Sequence, residues 1–184
     1  MTPSDDLLNQ ALAHHAAGRL ADAEAIYRRL LQDDPNQAVP MHMLGVVAHQ
    51  AGNNDLAVDL IGQALVLQPD YANAHYNLGN ALKDLGRPHE AVAAYQQSLA
   101  QNPSSADGHF NLANVLADLG ELDQAVACFA AAIALQPDYG AAHFNMGNAL
   151  KGLGRMEDAV AAYKSALAIP PASAEVHHNL GLAL

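Results

Sequence analysis

Apolar and polar positions follow one another along the chain in an order that returns every 34 residues. Prolines mark the period at Pro35, Pro69, Pro103, Pro137 and Pro171. Glycines keep the same step at Gly18, Gly52, Gly86, Gly120 and Gly154, and alanines at Ala23, Ala57, Ala91, Ala125 and Ala159. A large apolar or aromatic position follows as Tyr27, Ile61, Tyr95, Phe129 and Tyr163. With each proline set as position 32, the repeats run 4–37, 38–71, 72–105, 106–139 and 140–173, with a partial sixth at 174–184. The glycine at position 15 divides two helix-length segments. The proline ends the second, because it lacks an N–H and clashes with the preceding turn. Each unit is therefore expected to be a helix–turn–helix. At 100° per residue, positions 4, 7, 8 and 11 of the first helix share one side, and 2, 5, 6, 9, 12 and 13 the other. The first side is apolar or small, as in Leu112, Ala113 and Leu116 or Met146, Gly147 and Leu150, and is the side expected to pack.

Composition agrees with helices packed closely together. Of the 184 residues, 39 are alanine and 26 leucine, and only 5% are aromatic with no tryptophan, a balance that favours helix over a β-sandwich. The net charge of −11 would repel nucleic acid and anionic membrane surfaces. Cys128 is the single cysteine, so no internal disulfide is possible and a reducing compartment fits. The start is acidic and polar, without the basic and apolar regions of an export signal. The longest apolar run, 125–135, is far short of the ~18 to 20 residues that span a bilayer. A cytoplasmic protein with no membrane partner is expected.

The 34-residue unit resembles the tetratricopeptide repeat. It has a large residue at 4, leucine at 7, glycine or alanine at 8, alanine at 20, an aromatic at 24 and proline at 32. The resemblance covers 4–184 and implies an all-α, right-handed superhelical solenoid of antiparallel helix pairs. Its concave groove would be lined mainly by the first helices, with a protein or extended peptide as partner. The second repeat departs most, with Pro40 at its helix start, Met43 and Val46 on the groove side and Gly62 in its second helix.

The groove side carries asparagine at position 6 as Asn77, Asn111, Asn145 and Asn179, and at position 9 as Asn80, Asn114 and Asn148. Asparagine is a mediocre helix former, so its repetition in mid-helix has one of two origins. The amides either hold the backbone of an extended peptide, offering donor and acceptor together, or hydrogen-bond between neighbouring repeats. The stretches 75–86, 109–120 and 143–154 are also similar to the repeat domain of O-linked N-acetylglucosamine transferases and related bacterial glycosyltransferases. That likeness implies an asparagine ladder for protein substrates and, as an alternative function, a substrate-recognition arm of an enzyme whose catalytic domain lies beyond residue 184. Met43 breaks the ladder. Tyr76, Phe110 and Phe144 at position 5 either grip ligand side chains or pack on a neighbour, and Lys83 and Lys151 at position 12 are the basic groove candidates.

Other chemistries find little support. A carboxylate clamp for chaperone tails needs lysine or arginine at positions 2, 5 and 6, and no repeat has one there. His75, His109, His143 and His177 also recur every 34 residues. Position 4 is expected to lie in the inter-helix core, and neighbouring repeats stand ~8 to 10 Å apart, too far to share a metal whose ligands sit at ~2 Å. No phosphate loop or paired nucleophile and base is visible. Cys128, among alanines, is expected to be buried and inert. No catalytic residue, metal or cofactor is assigned. Thr2, Pro3 and Asp5 read as the cap and first turn of a true N-terminal helix. The partial sixth repeat leaves His177, Leu180, Gly181 and Leu184 without a covering helix, so 174–184 is expected to fray or self-associate.

Overall fold

A computed structural model describes residues 3–170 and 174–183. The expected cap at Thr2, the repeat proline Pro171 and the apolar Leu184 lie outside these residues. The chain is all-α, with eleven helices among the described residues: α1 (Pro3–Ala16), α2 (Leu20–Asp33), α3 (Ala38–Gln50), α4 (Asn54–Leu67), α5 (Ala72–Asp84), α6 (Pro88–Gln101), α7 (Ala106–Asp118), α8 (Leu122–Leu135), α9 (Gly140–Gly152), α10 (Met156–Leu167) and α11 (Ala174–Ala183). They fall into two compact units, one running to Gln101 and one from Asn102.

In the first unit the helices pair as α1 with α2, α3 with α4 and α5 with α6, and each pair stacks on the next through α2 against α3 and α4 against α5. In the second, α7 pairs with α8 and α9 with α10, α8 packs on α9, and α11 lies against α10. The position-15 glycines join the two helices of a pair, all with φ between 70° and 80°. This left-handed conformation lets the chain turn back while satisfying the last carbonyls of the first helix. At Gly86, for example, Arg87 N–H donates to Leu82 O at 2.9 Å and Gly86 N–H to Lys83 O at 3.0 Å.

The second helices stop one residue short of the pre-proline position. Asp34, Gln68 and Gln136 precede Pro35, Pro69 and Pro137 with φ of −147°, −138° and −135°, because proline clashes with a helical residue before it. In α10 the extra Pro170 moves this restriction forward, and the helix already ends at Leu167. Pro40 lies in the first turn of α3, where a missing N–H costs no helical bond, and its side chain is fully buried.

Each pair closes around the ring or branched side chain at position 24. Tyr27, Ile61, Tyr95, Phe129 and Tyr163 are all fully buried, as are the alanines at position 20. Position 8 of the first helix has no room to spare. A Cβ on Gly79 would lie 2.7 Å from the Tyr95 ring, on Gly147 2.6 Å from Tyr163, and on Gly45 2.6 Å from Ile61. Gly62 faces open space, with nothing within 4 Å of such an atom.

These contacts give opposite signs for the same substitution. Gly147→Ala forces the Tyr163 ring outward and is expected to cost about 1–3 kcal/mol by overpacking. Gly62→Ala, in the interior of α4, should gain about 0.5–1 kcal/mol by restricting the unfolded backbone. Urea denaturation of both variants checks the pair, and equal effects would contradict this packing.

Candidate functional site

The polar positions of the first helices do not stand free along one face; most are tied to a neighbour by one end. In the second unit Asn145 Nδ2 donates to Asn114 Oδ1 at 2.8 Å, and Asn179 Nδ2 donates to Asn148 Oδ1 at 2.9 Å. Position 6 of one repeat thus bonds position 9 of the repeat before it. Position 9 also receives the buried tyrosine of its own repeat: Tyr163 Oη donates to Asn148 Oδ1 at 2.8 Å and Tyr95 Oη to Asn80 Oδ1 at 2.7 Å. Asn111 is half-buried on α7.

Where position 9 cannot accept, position 6 changes. Leu12 holds position 9 of the first repeat, and its partner position carries Met43, which packs onto the cluster of Ala11, Ala23, Tyr27 and Val47. Met43 therefore belongs to the interface between repeats, and the groove-side placement expected for it is corrected. Val46 holds position 9 of the second repeat, and Asn77 turns to His42 instead, donating from Nδ2 to Nε2 at 2.9 Å. That bond leaves the proton on His42 Nδ1, which donates to the Tyr71 hydroxyl at 3.1 Å. His42 is 2% exposed, its ring 4.7 Å from that of Tyr71. Burial, and secondarily the charge of His15, lower its pKa to about 4. Tyr27, next to Leu12 in register, keeps a buried hydroxyl with no hydrogen-bond partner, and burial, then the neighbouring Tyr71, raises its pKa to about 12.

The position-5 aromatics pack within their own repeats. Tyr76 lies 5.9 Å from Tyr95, Phe110 5.9 Å from Phe129 and Phe144 6.0 Å from Tyr163, centroid to centroid. Phe110 also meets Tyr139 at 4.7 Å. All three remain half-buried. Lys83 is exposed, with its ammonium 3.6 Å from Asp84, and Lys151 is half-buried on α9.

The position-4 histidines are not in the inter-helix core, which corrects the sequence expectation. Their Nε2–H groups reach back to the repeat prolines: His75 to Pro69 O at 2.8 Å, His109 to Pro103 O at 3.0 Å and His143 to Pro137 O at 3.1 Å. Each pins the connection that enters its own helix, so phenylalanine at His109 would lose about 0.5–1.5 kcal/mol of hydrogen bonding. Cys128 is half-buried, and burial raises its thiol pKa. Sequence reasoning passed over Tyr71 and Tyr139, although each stands two residues after its proline.

The second unit also has a recess of about 310 Å³ between α7, α8 and α9, lined in part by Asn114, Asn145 and Asn148. The inter-repeat bonds use one end of each amide. Asn114 Nδ2, Asn145 Oδ1 and Asn148 Nδ2 make no hydrogen bond among the described residues.

Stacked helical hairpins joined by side-chain bonds at a fixed register define an all-α repeat protein. Residues 7–38, 42–106, 76–127 and 110–174 match the tetratricopeptide repeat family, and the chain belongs to it. Among solved structures, that of MamA protein is 27% identical with a TM-score of 0.81, covering 89% of this chain and 90% of its own. That of YrrB, described as a tetratricopeptide repeat protein with an unusual peptide-binding site, is 26% identical with a TM-score of 0.83, covering 94% of this chain and 89% of its own. A MamA fragment from Desulfovibrio magneticus RS-1, 18% identical with a TM-score of 0.77 over 98% of this chain and 96% of its own, shares the fold. No curated protein sequence matches the chain.

Two measurements test these polar ties. Tyr163→Phe removes a satisfied bond and should cost about 1 kcal/mol, whereas Tyr27→Phe removes an unpaired buried hydroxyl and should be neutral or stabilising by a similar amount. Thermal unfolding of the two variants must therefore diverge. The second concerns pH. With His42 at about 4 in the folded chain and about 6.5 unfolded, the unfolded state binds more protons between these values. Its contribution is then complete above pH ~6.5 and falls as pH drops toward ~4, by roughly 3 kcal/mol in all. His42→Phe, which places at position 5 the residue found at Phe110 and Phe144, should flatten that part of the stability curve. A curve unchanged in shape would show that His42 is not the titrating group.

Proposed function

We propose that the chain is an interaction scaffold, one array over 4–184, that holds an extended peptide segment of another protein along the face of its first helices. The observation that carries this reading is the set of half-used amides. After the repeats have been tied together, Asn114, Asn145 and Asn148 still present donors and an acceptor around an open recess. These groups suit the carbonyls and N–H groups of an extended backbone. The peptide-binding site named for YrrB, 26% identical to this chain, supports the same use here. The proposed site also includes Asn77 and Asn80 in the first unit and Asn111 and Asn179 in the second. Tyr76, Phe110 and Phe144 are half-buried rings, and Lys83 and Lys151 follow Tyr76 and Phe144 by seven residues on the same helices. No catalytic step is assigned to the chain. The alternative, a substrate arm of a glycosyltransferase, rests on the spacing of the asparagines.

Self-association through α11 is a separate part of the reading. α11 turns Val176, Leu180 and Ala183 onto the core formed with Leu150 and Tyr163. Leu182 stays 64% exposed and is the residue that a second copy would cover.

Sedimentation of a pool of fluorescent ten-residue extended peptides with the 184-residue chain tests both. Binding should fall at least ten-fold in Ala117→Arg, which fills the recess without removing a tie. An Ala117→Arg chain that folds and binds as the parent does would refute the groove assignment. The same runs report dimers, which Leu182→Lys should abolish.

A further inference from the structure

We infer that the recess between α7, α8 and α9 selects a lysine or arginine side chain of the bound peptide; this rests on the peptide-holding reading above. Part of its wall is apolar, made by Ala117, Leu122, Phe129 and Ala149, and the larger share is polar. Leu122 and Phe129 come from α8, and Phe129 is fully buried, so its ring gives the wall a rigid backing. A space of about 310 Å³ with such a wall accepts the aliphatic stem of a long side chain.

The polar lining then decides the head group. Asp118 is the one charged residue that lines the recess, and its exposed carboxylate makes no ion pair or hydrogen bond among the described residues. It is also the last residue of α7, where the helix dipole is negative and an acid is unfavourable. Asp84 occupies the same position one repeat earlier, and there the charge is met: His49 Nε2 lies 2.8 Å from its carboxylate. At Asp118 the free carboxylate, the helix C-terminus and the unused Asn145 Oδ1 all call for a donor bearing positive charge. Neither lysine of the repeated pattern fills that place. Lys151 does not line the recess, and the ammonium of Lys83 is held 3.6 Å from Asp84. The net charge of −11 draws a cationic segment toward the chain from a distance.

The recess is therefore a specificity pocket inside a groove that otherwise reads backbone. Asn114 and Asn148 offer N–H groups to peptide carbonyls, and the pocket adds the choice of residue between them. An exposed charge pair of this kind contributes up to about 1 kcal/mol, which corresponds to three- to five-fold selection.

The test uses the full 184-residue chain and a positional library of ten-residue extended peptides. In each sub-library one position is fixed as lysine, arginine, norleucine or glutamate and the others are randomised. The parent chain should retain lysine and arginine three- to five-fold over norleucine at one position, and more strongly over glutamate. That preference should shrink in 0.5 M salt. Asp118→Asn should reduce it to none, and Asp118→Lys should reverse it toward glutamate. Asp123→Asn, which removes an exposed acid on α8 outside the recess, should leave it in place. Peptides retained with no preference for a cation, or a preference that survives Asp118→Asn, would overturn this inference and leave the groove standing. No retention of any peptide by the parent chain would refute the groove reading and this one with it.

Discussion

The structure depends on the contact between the ring at position 24 and the residue at position 8. In each helix pair a large side chain from the second helix lies against a glycine or alanine of the first, close enough that a Cβ on Gly79 or Gly147 would overlap the tyrosine ring. That approach fixes the separation of the two helices and buries the ring completely. Burial of one such ring is worth about 1.5–3 kcal/mol. The approach also sets where the tyrosine hydroxyl ends, which in Tyr95 and Tyr163 is within bonding distance of the asparagine at position 9. The first repeat shows the rule by breaking it. Leu12 replaces the asparagine, and the hydroxyl of Tyr27 is left without a partner.

From that hydroxyl the polar network spreads to the next repeat. Asn148 accepts from its own tyrosine and from Asn179, so one oxygen joins the inside of a pair to the helix of the next repeat. Polar ties of this kind stabilise modestly, about 1 kcal/mol each. Their larger effect is on register, since an unpaired amide at a half-buried interface would be costly. The two readings of the asparagines are therefore not exclusive. A planar amide has a donor end and an acceptor end, and a tie that takes one leaves the other to face a ligand.

The second repeat adapts to the same constraint with different chemistry. Val46 cannot accept a hydrogen bond, so Asn77 bonds a buried histidine, and the histidine stays neutral because its surroundings exclude water. Met43 contributes an apolar contact where an amide would have no partner. The interruption of the ladder at Met43 thus follows from the residue it must face in the repeat before it.

Much was legible in the sequence because it is local. The 34-residue period, the turn glycines and the helix ends follow from backbone preferences acting within a few residues, and the left-handed φ at Gly86 or the extended residue before Pro69 could be anticipated from residue type alone. The packed face of each first helix followed from its apolar stripe. Tertiary structure decided the partners of the polar side chains. His75, His109 and His143 occupy a position read as core and yet bond proline carbonyls, and Asn145 and Asn179 each give one amide end to the repeat before. Asp84 and Asp118 stand at the same repeat position, but only one meets a histidine. The physical reason is that a hydrogen bond needs a specific atom within about 3 Å. In a stacked repeat that atom belongs to the adjoining unit, so it depends on how two distant segments meet and not on the period of either.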